Sequence, residues 1–394
     1  MKICIIPPQN LPVPAVKGGA VEGLIDLLIE ENESQKKMDI TVISIYDKEA
    51  KEKSKSFIHT KFIYIRYLKI LDKIFYILDS VLRKYLKYDK AVFLYTLIIQ
   101  KKLKKHNFDF IIIESADPRL TLNSKRNKTI GHIHGHMHGT ELMKSRFCKF
   151  IAISNYIKHE FLQNSDILDQ DVFVLKNAID LNKYQTELTQ EAAKQRISIN
   201  ENNKMILFVG RIIPEKGIKE LIMAFKMIKT PNYRLVVIGS SNFGSKEVTE
   251  FENEIFNLIS SDNRIVYKGF VQNDQLSLYY KAADVCVMPS RWEEPAGLVA
   301  LESLAAGKHL IITKTGGIPE YVGNEEVIFI ENNENFVSNL SNSISTLLSN
   351  DNLTINEKGL KKVKDFSKEI YYENYFNILN KLKRELIEGE LWQN

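Results

Sequence analysis

Two cations stand close together in the segment Phe208-Val209-Gly210-Arg211-Ile212-Ile213-Pro214-Glu215-Lys216-Gly217. An apolar strand ends at Gly210, and Arg211 and Lys216 follow in a loop that leads into a helix. Ligands of open parallel sheets sit outside the carboxyl ends of the strands, so both cations belong to that edge. A guanidinium holds phosphate oxygens in two places and an ammonium adds a compact charge, a combination that suits a diphosphate. An ordinary solvated loop could carry the same two residues. Further on comes Ser290-Arg291-Trp292-Glu293-Glu294-Pro295-Ala296-Gly297-Leu298-Val299-Ala300-Leu301-Glu302-Ser303-Leu304-Ala305-Ala306-Gly307. Here a strand runs through Pro289 into a loop, and a helix begins near Gly297. Free N–H groups and the helix dipole make such a start an anion site. Glu294 before it and Glu302 within it can accept hydrogen bonds from sugar hydroxyls. Leu298, Leu301 and Leu304 surround Glu302 with apolar surface, where an unpaired carboxylate would be costly.

Two further segments carry chemistry-bearing residues. In Pro7-Pro8…Val16-Lys17-Gly18-Gly19-Ala20-Val21-Glu22 the paired glycines precede a helix and let a ligand approach the backbone closely, although a plain turn would use them too. Ile130-Gly131-His132-Ile133-His134-Gly135-His136-Met137-His138-Gly139 sets four histidines at alternate positions. Imidazole is the commonest metal ligand, yet no carboxylate or cysteine completes an obvious shell.

The elements that must position these residues are strands alternating with amphipathic helices, repeated in both halves, which predicts two parallel sheets flanked by helices. Strands are expected at Lys2–Pro7, Ile40–Ile45, Phe57–Ile65, Phe108–Glu114, Thr129–His134, Phe150–Ser154 and Val172–Leu175. In the second half they are Met205–Val209, Tyr233–Ile238, Arg264–Lys268, Val285–Met288, Leu310–Thr313 and Val327–Ile330. Helices fall between, as at Val21–Glu31, Tyr156–Gln163, Ile218–Met227 and Val299–Ala306. The turn Asn177-Ala178-Ile179-Asp180 is the natural joint, giving an N-terminal domain over 1–180 and a C-terminal one over 181–366. A last helix, about 367–394, starts no new unit and is expected to pack back on the first domain. Neither half has GxGxxG after its first strand, and no GxxxxGK[ST] or CxxC pair occurs.

The 394 residues, 44% hydrophobic and 26% charged, are those of a soluble globular protein. The first residues read as a strand rather than a signal peptide, and no apolar run reaches eighteen residues. Cys4, Cys148 and Cys286 lie far apart beside apolar stretches, the pattern of reduced thiols in a cytoplasmic protein. The net charge of +5 is uneven, since eleven Lys and Arg against three Asp fall between Arg66 and Lys105. Tyr67, Leu68, Leu71, Ile74, Phe75, Ile77 and Leu78 interleave with them at helical spacing. Such a stretch can rest on an anionic membrane surface; a pair of helices with solvated basic faces explains it equally well. Nothing points to nucleic acid.

Taken in order, Gly210-Arg211…Glu215-Lys216-Gly217 and Glu294…Glu302 resemble glycosyltransferase family 4, a retaining group of GT-B fold with two facing Rossmann-like domains and a cleft between them. Ser154-Asn155, Asn177-Ala178-Ile179-Asp180, Gly269-Phe270-Val271 and Thr315-Gly316-Gly317-Ile318-Pro319-Glu320 extend the likeness over essentially the whole chain. The resemblance implies that Arg211 and Lys216 meet the diphosphate, Glu302 the ribose and Glu294 a hydroxyl of the donor sugar. It places the backbone of Gly210, Gly297, Leu298 and Val299 at the phosphate and sugar, main-chain groups near Phe270 and Val271 at the base, and Gly18 and Gly19 over the donor phosphate. His134 resembles the histidine that contacts the donor sugar. His132 reads as a hydrogen-bonded strand residue, and His136 and His138 as facing the acceptor. Two positions depart from the pattern: Ala296 where an aromatic is common, and Ala178 where glycine is usual.

The same resemblance implies a metal-independent transfer of a sugar from a nucleotide-diphosphate sugar, preferably UDP-linked, to a hydroxyl of a glycan. The acceptor would be lipid-linked, in bacterial capsule, exopolysaccharide or cell-wall synthesis, with a cytoplasmic enzyme peripheral on the inner membrane face. A nucleotide-sugar epimerase, or a non-catalytic nucleotide-sugar-binding protein, are the rival readings. A phosphorylase lacks an evident lysine for pyridoxal phosphate.

Overall fold

Short runs of Ile, Val, Leu and Phe bounded by Pro, Gly and polar turns form buried parallel strands. A computed structural model describes residues 1–66, 94–241, 248–324, 327–350 and 353–388, and the strands within them form two sheets. Residues 67–93, most of the basic Arg66–Lys105 stretch, lie outside the described residues. The chain divides into two units, Met1–Lys176 with Lys368–Asn394, and Asn177–Ser367.

The first unit holds β1 (Lys2–Ile6), β2 (Asp39–Ile45), β3 (Thr60–Ile65), β4 (Phe110–Ile113), β5 (Thr129–Ile133), β6 (Lys149–Ala152) and β7 (Val172–Val174). They lie in the order β3-β2-β1-β4-β5-β6-β7, all parallel. The strand expected from Phe57 starts at Thr60 instead. Ser54–Ser56 is a 3-10 turn, and Glu33 takes the backbone N–H groups of Ile58 and His59 before the ladder begins. The order reverses between β1 and β4, so the loops after these two strands flank a switch point where ligands of such sheets bind. The final helix, Lys368–Glu388, packs on this unit. Tyr372 donates to Asn32 Oδ1 at 2.7 Å, and Lys37 pairs with Glu373.

The second unit holds β8 (Lys204–Val209), β9 (Tyr233–Ile238), β10 (Ile265–Gly269), β11 (Val285–Met288), β12 (His309–Thr313) and β13 (Ile328–Ile330), ordered β10-β9-β8-β11-β12-β13. Its switch point lies between β8 and β11. Helix Ile218–Met227 buries Ile218, Leu221, Ile222 and Phe225 at helical spacing against the sheet. Fully burying each such side chain contributes about 1.5–3 kcal/mol. Helix Leu298–Ala305 does the same on the opposite face with Ala300, Leu301 and Leu304. Both sheets with their flanking helices are the α/β architecture expected from the strand–helix alternation. No helix among the described residues is long and apolar enough to cross a membrane.

Candidate active site

In the second unit the candidate residues gather on loops at the carboxyl edge of one sheet. Arg211 follows β8, Phe270 follows β10, and the Ser290–Gly297 loop follows β11. Two glycines let the first and third of these loops close on their neighbours. Gly217 has φ +67°, and a Cβ there would lie 1.9 Å from the carbonyl oxygen of Pro289. Gly316, at φ +53°, would place a Cβ 2.3 Å from the carbonyl oxygen of Glu294. Backbone bonds tie the same segments: Arg291 N–H donates to Glu215 O at 2.7 Å, and Gly317 N–H to Glu294 O at 2.7 Å.

This packing brings Lys216 to Glu294, 78 residues on. Lys216 Nζ donates to Glu294 Oε1 at 2.5 Å, and Ser290 Oγ donates to the same oxygen at 2.5 Å. Only 5% of the Glu294 side chain is exposed. Lys216 Nζ also stands 5.6 Å from the Trp292 ring centroid, where an aromatic face favours a cation. An ammonium has three donors, so the bond to Glu294 leaves others for a ligand. Arg211 is exposed and has no ion-pair partner among the described residues.

Helix Leu298–Ala305 starts at Gly297 with no side chain capping it, so its first N–H groups are available to an anion. Ala296, Leu298 and Val299 rest partly buried on the core beneath. Gly210 N–H is used in the sheet edge, donating to Ile238 O at 3.0 Å. Glu302, in apolar surroundings where an unpaired carboxylate would be costly, has partners. Tyr280 OH donates to its Oε2 at 2.7 Å, and Tyr184 also bonds to it. Burial still raises its pKa, the two tyrosines opposing the rise. Phe270 is 46% exposed directly after Gly269 at φ +68°, while Val271 packs on the core.

In the first unit, the register Ile113↔Gly131 between β4 and β5 sets Glu114 beside His132. His134 Nε2 lies 2.7 Å from Glu114 Oε2 in a hydrogen bond, and the rings of His132 and His134 lie with centroids 4.0 Å apart, tilted by 44°. His132 is a strand residue of β5, as expected. It is fully buried, and its Nδ1 stands 2.8 Å from the same carboxylate oxygen. Burial alone would raise Glu114, yet His132 and His134 outweigh it and hold the carboxyl down at about 2. Burial and the neighbouring His132 lower His134 to about 4, against the pull of Glu114. Glu114 was missed in the sequence because it stands twenty residues before His134. Its signal is a lone carboxylate closing a four-residue apolar strand, and it supplies the acid that the histidine run lacks. Glu114, His132 and His134 offer three ligand atoms within 4.8 Å of one another. His136 and His138 leave this group for the helix Asn155–Leu162, where His136 Nδ1 meets Glu160 Oε2 at 2.6 Å.

Gly18 and Gly19 take φ +77° and +101°, conformations natural to glycine. No atom lies within 4 Å of a Cβ built on Gly18, whereas one on Gly19 would strike Glu22 Oε2 at 2.1 Å. The Glu22 carboxyl is therefore packed under the loop. Burial, with the nearby charges of Glu114 and Asp26, raises it to about 7, its own backbone N–H opposing. A carboxyl raised on folding gives its full stability below the unfolded value and loses it as pH climbs through 7. Glu22→Gln is expected to leave Tm unchanged at pH 4 and to raise it at pH 8, by the equivalent of at most about 3 kcal/mol. Calorimetry at both values checks this, and an equal offset at each would contradict it.

Residues 189–369 match the family described as glycosyl transferases group 1. An uncharacterized glycosyltransferase of Methanocaldococcus jannaschii is 33% identical over 45% of each chain. The capsular polysaccharide biosynthesis glycosyltransferase CapM of Staphylococcus aureus is 30% identical over 61% of this chain and 63% of its own. Spore coat protein SA of Bacillus subtilis is 26% identical and reaches further, over 82% of this chain and 83% of its own. Among solved structures, Anabaena HepE in complex with UDP and glucose superposes with a TM-score of 0.74 at 19% identity, covering 96% of this chain and 99% of that one.

Proposed function

We propose that this glycosyltransferase, whose C-terminal unit belongs to group 1 of that family and whose fold is GT-B, moves a sugar from a UDP-sugar to a hydroxyl of a glycan with retention of the anomeric configuration. The observation that carries the reading is the cluster at the switch point of the second sheet. There the exposed Arg211, the Lys216–Glu294–Ser290 group and an uncapped helix start lie on loops after neighbouring strands. Breaking the bond between sugar and phosphate develops negative charge on the leaving diphosphate. Arg211, Lys216 and the N–H groups of Gly297, Leu298 and Val299 would stabilise that charge, which is transition-state electrostatics. Both bonds to Glu294 fall on Oε1, so Oε2 is left to accept a hydroxyl of the donor sugar. Glu302, braced by Tyr280, would take the ribose, and main-chain groups at Phe270 and Val271 the base. By the resemblance, Gly18 and Gly19 would meet the donor phosphate and His134 the donor sugar. No side chain of the cluster is placed as a nucleophile. The acceptor hydroxyl would attack on the face the diphosphate leaves, giving its proton to the departing phosphate.

A uridine donor is favoured because HepE is seen with UDP and glucose. A surface-polysaccharide acceptor is favoured by the likeness to CapM. Thermal shift of the purified protein against UDP-, GDP- and ADP-sugars tests the donor, with the largest stabilisation expected from a UDP-sugar. Transfer should persist in excess EDTA if it needs no metal.

A lipid-linked acceptor at the inner membrane face would suit the basic stretch. Its described end, helix Leu94–Lys105, carries Lys101, Lys104 and Lys105 exposed and Lys102 half-buried. Anionic lipids attract each such cation by about 1 kcal/mol near the surface. Reversing all four to Glu is expected to lower binding to phosphatidylglycerol vesicles at least tenfold in co-sedimentation. Unchanged binding would remove the membrane from the account.

A further inference from the structure

We infer that Arg291 is a positioning residue for the transfer, clamping the loops after β8, β11 and β13 so that Lys216 and Glu294 stand ready for the donor. This rests on the reading that those two side chains meet its phosphate and sugar. Arg291 lies three residues before Glu294 in the loop after β11 and reaches the two other loops at once. Its N–H donates at 2.7 Å to the carbonyl oxygen of Glu215, the residue before Lys216. Its Cγ is 3.4 Å from where a Cβ on Gly217, the residue after Lys216, would stand. The chain on either side of Lys216 therefore abuts one arginine. On the other flank, Asn332 Nδ2, beyond β13, donates to the Arg291 carbonyl oxygen at 3.4 Å. The guanidinium carbon lies 4.4 Å from the ring centroid of Phe336, the buried residue that opens the helix Phe336–Leu348. Nε stands 3.9 Å from Glu220 Oε1, in the first turn of the helix Ile218–Met227.

Packing alone does not call for an arginine here. A leucine or methionine would cover the Phe336 ring without burying Nη1, which has no hydrogen-bond partner among the described residues and so costs stability. A guanidinium is flat enough to lie on the ring while its edge faces a carboxylate, whereas an ammonium on a flexible stem fixes no such plane. Nor does the Lys216–Glu294 bond set the loops by itself, since the lysine stem turns about several bonds. What must be fixed is the backbone that carries the two side chains. The loop after β12 is already tied, by Thr315 Oγ1 donating to Trp292 O at 3.0 Å and Gly317 N–H to Glu294 O at 2.7 Å. Arg291 does the same for the loops after β8 and β13.

Arg291→Met and Arg291→Lys test this with two readouts, in full-length protein carrying Trp392→Phe so that Trp292 is the one tryptophan left. The first is acrylamide quenching of Trp292 fluorescence without sugar, which reports where the loop sits. Arg291→Met is expected to raise the quenching constant above the parent's. The second is steady-state transfer from a UDP-sugar. There kcat should fall about 10–10²-fold, the loss that a displacement of about 1 Å brings. The donor KM should stay within about threefold, since the contact is made through other residues and is spent on the chemical step. Arg291→Lys keeps the charge without the plane and should fall between the two in both readouts. Parent-like quenching or parent-like kcat in folded Arg291→Met would overturn the inference, because a contact that only adds stability moves Tm and neither of these. Should that variant not fold, Arg291→Lys decides in the same way, with parent values in either readout overturning it. Quenching needs no sugar, so raised quenching beside a parent that transfers nothing would count against the transferase reading and leave the clamp standing.

Discussion

Arg211→Ala is expected to lower kcat/KM for sugar transfer by about 10²–10³-fold while leaving Tm within a degree or two of the wild type. The loss is the size seen when one preorganised group that stabilises developing charge is removed. The thermal indifference comes from its position. Arg211 is exposed, follows β8 in a loop, and has no ion-pair partner among the described residues. Exposed substitutions away from packed features usually stay within about 0.5 kcal/mol. Arg211→Lys keeps the charge but loses the two-pronged geometry, so it should recover only part of the rate. Steady-state kinetics with scanning calorimetry checks both arms. Wild-type turnover by the alanine variant would remove Arg211 from the diphosphate.

Lys216→Ala should behave differently, losing both activity and stability. Its partner Glu294 has a side chain only 5% exposed, and Ser290 alone cannot neutralise it. Removing one member of a buried pair typically costs about 3–5 kcal/mol because the other charge is stranded. Glu294→Ala would strand Lys216 in turn, so a clean test of the sugar contact needs Glu294→Gln. Combining Lys216→Met with Glu294→Gln should return most of the lost Tm and none of the activity. A double variant as unstable as Lys216→Ala would show that the pair does not hold the loops together. This separates the structural work of the pair from its proposed work on phosphate and sugar.

Much of the fold was legible because each strand is a run of Ile, Val, Leu or Phe ended by a turn signal. β8, β9 and β11 fall where Met205–Val209, Tyr233–Ile238 and Val285–Met288 announce them. The start of β3 was not legible, since Phe57 and Ile58 look like strand residues while Glu33 on a distant helix captures the backbone at that point. In the candidate site, the residue types were readable and their partners were not. Nothing in the spacing of Lys216 and Glu294 says that they touch, because β8 and β11 become neighbours only when the sheet order reverses. Tyr184 and Tyr280 bracing Glu302, and Glu114 meeting His134, are hidden for the same reason. Parallel strands are joined by crossover connections of about a dozen residues or more, usually through a helix, so cross-strand neighbours lie far apart in sequence. Gly217 and Gly316 were readable as loop glycines, but only the close approach of Pro289 and Glu294 explains why no side chain fits there.

The central claim is transfer from a nucleotide sugar, and product analysis tests it most directly. The purified protein would be incubated with a UDP-sugar and a glycan acceptor, and the anomeric proton of the product followed by NMR alongside released UDP. The account predicts one UDP released for each sugar transferred, with the donor's anomeric configuration kept in the product. Binding of UDP-, GDP- or ADP-sugars with neither transfer nor release of nucleotide would contradict it.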